Sequence, residues 1–307
     1  MEHATSPALF IGNSCLDITL PVKRLPTRDE KIVATESACG IGGGALTAAV
    51  ACATLGITPS ILTTIGKDDL GPIIRRRIEH YGIIVYPRRV AETSVSVFMP
   101  NNQHRAMVGM RDTNFLDGFP EIELAGCKVL HLDGHQPDAA YEYARRCRER
   151  GILTSLDGGT VRKNTEELLG LIDVAVISQK MCEEMDYFDK PWSMLRYLKG
   201  RGCRIGAVTL GERGLVWYDE KGNEHRMPAL PVPSIKDTTG AGDIFHGAYV
   251  FSYLRWPRKS WEEHFLFARA AAAHSIQCLG NEASCPALQD VESILQNGFA
   301  GQLMAAK

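Results

Sequence analysis

Val129-Leu130-His131-Leu132, then Ala140, Tyr143, Ala144 and Cys147 at helical spacing, then Gly151 and Leu153-Thr154-Ser155-Leu156: this stretch decides the fold class. Each short apolar run suits a strand buried on both faces, as in a parallel sheet. The residues between them recur on one helix face, and Gly151 is a natural helix stop. The same alternation extends both ways. Ala8-Leu9-Phe10-Ile11-Gly12 and Ser60-Ile61-Leu62-Thr63-Thr64-Ile65 read as strands upstream, Val174-Ala175-Val176-Ile177 and Ile205-Gly206-Ala207-Val208-Thr209 as strands downstream. Repeated strand–helix–strand order predicts a doubly wound, mostly parallel α/β sheet flanked by helices.

Two stretches break the rhythm. Residues 16–38 and 93–110 predict β-structure of period two, as in Ser94-Val95-Ser96-Val97-Phe98-Met99, and Asn101-Asn102 is a hairpin cue before the run from His104 to Met110. They predict a small second sheet, a lid at the edge of the core, within a single domain over 1–307. The last third predicts helices from Ala241 to Leu254, Trp261 to Ile276 and Leu288 to Leu295.

Composition removes several function classes. The 307 residues carry 34 Lys+Arg against 36 Asp+Glu, a formal net charge of −2, so there is no clustered basic surplus for a broad nucleic-acid footprint. The runs Arg75-Arg76-Arg77 and Arg145-Arg146-Cys147-Arg148 fall in helical patterns and read as solvated faces. No apolar run approaches the ~18 residues that span a bilayer, and Met1 to Pro7 does not open a signal peptide. Nine cysteines without a C-x-x-C predict reduced, mostly buried thiols and a cytoplasmic protein. His131 and His135 sit on a strand and its turn, not on one helix face as zinc ligands would, and no G-x-S-x-G elbow offers a serine nucleophile.

The chemistry concentrates in Asp237-Thr238-Thr239-Gly240-Ala241-Gly242-Asp243, which runs directly into a helical pattern. Small residues let a ligand approach the backbone, and free N–H groups at a helix start make an anion site. A carboxylate beside an anion site is unwelcome unless it takes a proton from the group attacking that anion, as in phosphoryl transfer to a hydroxyl. The same residues also suit a capped helix after a tight turn. A second glycine cluster, Gly40-Ile41-Gly42-Gly43-Gly44, opens an Ala-rich helix from Ala45. It lacks the Gly-Lys-Ser/Thr ending of a P-loop, so a ligand contact and close helix packing are both open readings.

Together these motifs make the chain resemble the PfkB/ribokinase family of sugar kinases over nearly its whole length. The resemblance rests on Gly42-Gly43 with the following helix, and on Asp237 to Asp243, which fits the D-T-x-G-A-G-D pattern without a mismatch. Asp17 in Gly12-Asn13-Ser14-Cys15-Leu16-Asp17 and Thr209-Leu210-Gly211-Glu212-Arg213-Gly214 add to it. It implies a core with a lid, Asp243 as the base, and Gly240, Ala241 and Gly242 as an anion hole for the transferring phosphoryl group. It further implies Asp17, Gly42, Gly43 and Thr47 around the sugar, with Asp133, His135 and Arg105 as further substrate contacts. Thr209, Gly211, Gly214, Thr238 and Gly280 would line the nucleotide site. Cofactors would be ATP and Mg²⁺, with Asp237 and Thr239 at a monovalent-cation position, and partners a small sugar and a second copy joined through the lid, with no nucleic acid or membrane.

Departures from the family pattern are specific. Thr47 stands where many members carry Asn, Ser178-Gln179-Lys180-Met181 replaces the N-x-x-E motif, and Cys278 replaces an Arg near the cation position, which argues against potassium dependence. Ketohexokinase and sulfofructose kinase branches look similar around His131 to His135. The expected activity is ATP-dependent phosphorylation of a primary hydroxyl on a furanose or ketohexose-like sugar. A nucleoside kinase of the same family and a sugar-binding regulator without catalysis are the alternatives.

Overall fold

The computed structural model describes residues 6–101, 105–188 and 190–305, with the side chains of Arg105 and of residues from 297 onward left aside. Strands β1 (Ala8–Ile11), β4 (Ser60–Gly66), β5 (Ile84–Val90), β8 (Val129–Leu132), β9 (Leu153–Gly158), β10 (Val174–Ser178), β11 (Ile205–Thr209), β12 (Leu215–Tyr218) and β13 (Glu224–Met227) form one sheet. Its order is β13-β12-β11-β10-β9-β8-β1-β4-β5. From β11 to β5 every pairing is parallel, and only the β11–β12 and β12–β13 pairings at one edge are antiparallel. Helices α1 (Gly44–Thr54), α2 (Gly71–His80), α3 (Pro137–Glu149), α4 (Thr165–Leu169), α5 (Gln179–Glu184), α6 (Pro191–Gly200), α7 (Ala241–Arg255), α8 (Trp261–Ser275) and α9 (Leu288–Ala305) cover its two faces. Buried apolar residues form two clusters. One lies under α1, α7 and α8, the other under α3 and α6, as a doubly wound sheet requires.

Helices α1 and α7 matter most for the site, because both begin at the crevice where strands end. They are buried almost all round, which explains why neither shows an amphipathic stripe. Gly247 allows their contact: a Cβ there would sit 2.2 Å from the Ala48 carbonyl oxygen. Beneath α7, Phe245 and Tyr249 pack against Phe265 of α8 at ring separations of 5.7 and 5.9 Å. Helix α8 starts on a reciprocal Ser260–Glu263 capping box.

The second sheet contains β2 (Cys15–Thr19), β3 (Ala38–Gly42), β6 (Ser94–Pro100) and β7 (Arg105–Met110), in the order β3-β2-β6-β7. The expected β-structure over 16–38 is corrected here: residues 20–37 carry no strand. Pro21 and Pro26 remove backbone donors from that connection, so its alternation has no ladder to serve. The hairpin between β6 and β7 forms as an antiparallel pair; its turn residues Asn102 to His104, and the Arg105 side chain, lie outside the described residues. All nine thiols are free, and no described helix is long and apolar enough to cross a membrane.

Candidate active site

The crevice opens at the carboxyl ends of the central parallel strands, where open α/β sheets bind ligands. Asp133 follows β8 directly, Asp157 lies near the end of β9, Ser178 and Thr209 end β10 and β11, and β2 and β6 of the small sheet contribute Asp17 and Ser96. Gly240 caps α7 in the left-handed region, φ 75°, which a side chain would resist. No side chain caps this helix; Ala241 N–H reaches the Thr238 carbonyl only at 3.4 Å, and a helix start of this kind offers its first-turn N–H groups to an anion. The N-terminus of α1 is used differently: Ala45 N–H donates to Asp133 Oδ2 at 3.1 Å.

Asp243 lies in the first turn of α7 and shares a hydrogen bond with Asp157. Burial, then the Asp157 charge, raises the Asp243 carboxyl well above the usual range; burial, then the Asp133 charge, raises Asp157, while its hydrogen bond with Asp243 works the other way. One proton shared across such a pair relieves the repulsion. Beneath them, His246 Nδ1–H donates to the Gly242 carbonyl at 2.7 Å and lies 3.7 Å from Asp157. Burial depresses both His246 and His131, keeping them neutral. His131 Nδ1 bonds Ser155 Oγ at 2.9 Å, and Ser155 Oγ bonds the Tyr249 hydroxyl. This network fixes the floor under the carboxyl pair.

Asp133 behaves in the opposite way. Burial would raise it, but His135, which hydrogen-bonds it, and the Ala45 N–H hold it well below the usual carboxylate range. His135 N–H donates to Asp133 Oδ1 at 3.0 Å, and its Nδ1 lies 3.1 Å from the same oxygen. Asp17 is 6% exposed. Burial raises its carboxyl, an effect partly offset by donors from Cys15, Asn281 and Ser96.

The structure therefore brings Asp17, Gly42, Gly43, Thr47, Asp133, His135 and Gly240 to Asp243 around one crevice. Thr209, Gly211 and Gly214 lie along its β11 side, where Leu210 N–H closes the turn onto the Gly214 carbonyl at 2.7 Å. Thr238 is exposed at the start of the α7 loop. Asn281 was not marked by any motif. Its amide donates to Asp17 Oδ2 at 2.8 Å and to Thr47 Oγ1 at 3.3 Å, placing an amide beside the position where Thr47 departs from the family pattern. Neighbouring Glu282 accepts from Ile41 N–H at 2.7 Å and from the Tyr81 hydroxyl at 3.0 Å, tying β3 to the C-terminal loop. Asp157, Asn281 and Glu282 have no local signature in the sequence.

Asp237 accepts three hydrogen bonds, two from its own loop and one from the loop after α8. Oδ1 accepts from the Thr239 N–H and hydroxyl at 2.9 and 2.6 Å, and Oδ2 accepts from Gly280 N–H at 3.1 Å. The altered stretch at 178–181 is likewise engaged. Ser178 Oγ caps α5 through Met181 N–H and donates to the Gly159 carbonyl, while Glu183 accepts from Gln179, and Glu184 from Val161 N–H. Among the described residues no cluster of three His, Cys, Asp or Glu is arranged to hold a metal ion.

Residues 7–288 match the pfkB family carbohydrate kinase. The chain belongs to this family. As a PfkB carbohydrate kinase it is a phosphotransferase with an alcohol acceptor. It is 24% identical to the ribokinase of Haemophilus influenzae over 94% of this chain and 97% of that one. It is 28% identical to the ATP-dependent ribose-1-phosphate kinase of Halopiger xanaduensis over 80% of this chain and 84% of that one. In fold it is similar to a putative ribokinase from Agrobacterium tumefaciens, with TM-score 0.87, 23% identity, and 97% and 99% of the two chains covered. Arabidopsis thaliana ribokinase complexed with ribose and ATP gives TM-score 0.80 at 23% identity, covering 95% and 99%.

Proposed function

We propose that this PfkB kinase transfers the γ-phosphoryl group of ATP to a primary hydroxyl of a furanose or ketohexose-like sugar. The observation that carries the reading is the juxtaposition of Asp243, held beside Asp157, with the uncapped start of α7. The hydroxyl donates its proton to Asp243 as its oxygen attacks the γ-phosphorus. The N–H groups of Gly240, Ala241 and Gly242 receive the charge that develops on the phosphoryl oxygens. Asp17, steadied by Asn281 and Cys15, accepts from sugar hydroxyls, with Gly42, Gly43 and Thr47 at the same wall. Thr209, Gly211, Gly214, Thr238 and Gly280 face the nucleotide.

Mg²⁺ enters as the ATP complex, a substrate held mainly by phosphate oxygens and water, in keeping with its reluctance to dehydrate and with the engaged side chains at 178–184. The relatives named ribokinase and ribose-1-phosphate kinase support a small sugar as acceptor. A nucleoside would need an apolar or aromatic pocket for its base, whereas Asp17, Asp133 and His135 present polar groups. Residues 1–307 act as one unit with the small sheet as lid. The reading is tested by an ATP-consumption screen of purified protein over ketohexoses, pentoses, sugar acids, sugar phosphates, sulfosugars and nucleosides. ADP release with nucleosides alone, or with none, would overturn it.

Two secondary expectations follow from the same residues. Because the Asp237 carboxylate is already engaged by Thr239 and Gly280, and Cys278 stands where an Arg is common, turnover should be unchanged when potassium salts are replaced by tetramethylammonium salts; a marked loss would restore the cation site at Asp237 and Thr239. The outer strand β7 exposes Met107, Val108 and Met110, an apolar edge that suits a two-fold contact between lids. Light scattering should give twice the 33.8 kDa chain mass; the monomer mass would remove the lid dimer.

A further inference from the structure

Asn281 is carried by the loop between α8 and α9, belongs to no motif, and is 4% exposed. It stands where three parts of the crevice meet. Its Nδ2 donates to Asp17 Oδ2 on the small sheet at 2.8 Å and to Thr47 Oγ1 in the first turn of α1 at 3.3 Å. It also lies against the cap of α7: a Cβ added to Gly240 would stand 2.7 Å from the Asn281 Cβ. Its neighbours anchor the loop on both sides. Gly280 N–H donates to Asp237 Oδ2 at 3.1 Å, and Glu282 accepts from Ile41 N–H of β3 at 2.7 Å. One side chain therefore touches the strand that carries Asp17, the start of α1 and the start of α7.

The amide has one orientation that satisfies its surroundings. Glu282 N–H donates to Asn281 Oδ1 at 2.7 Å, which leaves the NH₂ group for Asp17 and Thr47. Turned over, the oxygen would face the Asp17 carboxylate and the NH₂ group would face the Glu282 N–H, so attractions would become repulsions. Asp17 needs the donor. Burial drives its carboxyl toward the neutral acid, and Cys15, Asn281 and Ser96, with the Arg111 charge, oppose that drive. The Cys15 thiol reaches Oδ1 at 3.0 Å, but a thiol is a weak donor. Cys39, Arg77, Tyr81 and Glu282 line the same cavity of about 230 Å³ as Asp17. There Arg77 and the Tyr81 hydroxyl are turned to Glu282, at 3.5 and 3.0 Å.

We propose that Asn281 is a positioning residue: its amide holds Asp17 as a hydrogen-bond acceptor and fixes it in register with the start of α7. This role rests on the reading that Asp17 accepts from sugar hydroxyls, and it adds a residue that lies outside every kinase motif of the chain. A carboxylate accepts through both oxygens, whereas the neutral acid turns one of them into a donor. Without the amide, Asp17 takes up its proton at a higher pH than in the intact chain. Sugar affinity then falls as pH drops through that raised value and returns above it. A side chain that served only to pack the loop would weaken binding equally at every pH.

The first test needs no substrate. Carbon-13 NMR of the aspartate carboxyls follows the titration of Asp17 in the full chain, its signal identified by loss in Asp17→Asn. The intact protein is compared with Asn281→Leu, which keeps the bulk without the donor, and with Asn281→Asp, which keeps the shape but sets a second carboxylate against the first. Each is checked for an unchanged unfolding midpoint. The Asp17 titration should move upward by about one pH unit or more in Asn281→Leu, a tenfold change in proton affinity on the scale of one hydrogen bond to a charged group. It should move further in Asn281→Asp. Calorimetry with D-ribose and D-fructose supplies the second reading. At a pH where the intact chain still binds fully, Asn281→Leu should bind ~10-fold or more weakly, with recovery as pH rises. In an Asp17→Asn background the same substitution should cost no more than about 2-fold, because the pair no longer interacts. An unmoved Asp17 titration in both variants, or a loss of sugar binding that is equal at every pH, would overturn the proposal. A raised Asp17 titration with sugar binding unaffected by Asp17→Ala would leave Asn281 holding Asp17 and remove the sugar reading of β2 instead.

Discussion

Asp243→Asn should lower turnover by ~10²-fold or more, the contribution of a well-placed general base, while sugar and ATP still bind. The amide keeps the shape and the start of α7 but cannot accept the hydroxyl proton. Initial-rate kinetics would read the change in kcat, with KM near that of the parent. The pH dependence carries a matching signature. Burial and the Asp157 charge raise the Asp243 carboxyl, and a base must be unprotonated to act. Turnover should therefore fall as pH drops through the raised value, on an acidic limb displaced upward from an ordinary aspartate's. Asp157→Asn removes the neighbouring charge and should move that limb to lower pH. An Asp243→Asn variant within a few-fold of the parent would remove the base from Asp243.

Asp17→Ala should show the second large effect, this time on KM: a rise of ~10²-fold for the sugar, with a smaller fall in kcat. A buried carboxylate accepting two sugar hydroxyls supplies charge-assisted hydrogen bonds, and its loss leaves those hydroxyls unpaired in a site that excludes water. The truncation also releases the Asn281 amide from its partner at 2.8 Å, loosening the contact between the small sheet and the C-terminal loop. Steady-state kinetics with sugar as the varied substrate would separate the two parameters. An unchanged KM would place the sugar away from β2.

Most of the parallel core was legible because its strands are short apolar runs, as from Val129 to Leu156; β5, with Pro87, Arg88 and Arg89 inside it, is not such a run and carried no strand signal. The stretch from Asp237 to Asp243 was legible for a different reason. Anion binding at a helix start needs small residues in consecutive order, so the chemistry leaves a local pattern. The rest of the site is assembled across the chain and leaves no such trace. Asn281 meets Asp17 from 264 residues away, and Arg111 reaches His135 from the small sheet. Asp157 reads as the polar end of a strand until the fold sets it against Asp243. Residues 20–37 show the converse: alternation that resembles a strand but has prolines and no partner ladder.

The most direct test of the central claim follows the phosphorus itself. Phosphorus NMR of a reaction with ATP, Mg²⁺ and the sugar selected by the consumption screen should show one new phosphomonoester on a primary carbon for each ADP formed, and none with Asp243→Asn. Appearance of inorganic phosphate with no sugar ester, or the same ester at parental rate from the Asn variant, would contradict phosphoryl transfer through Asp243.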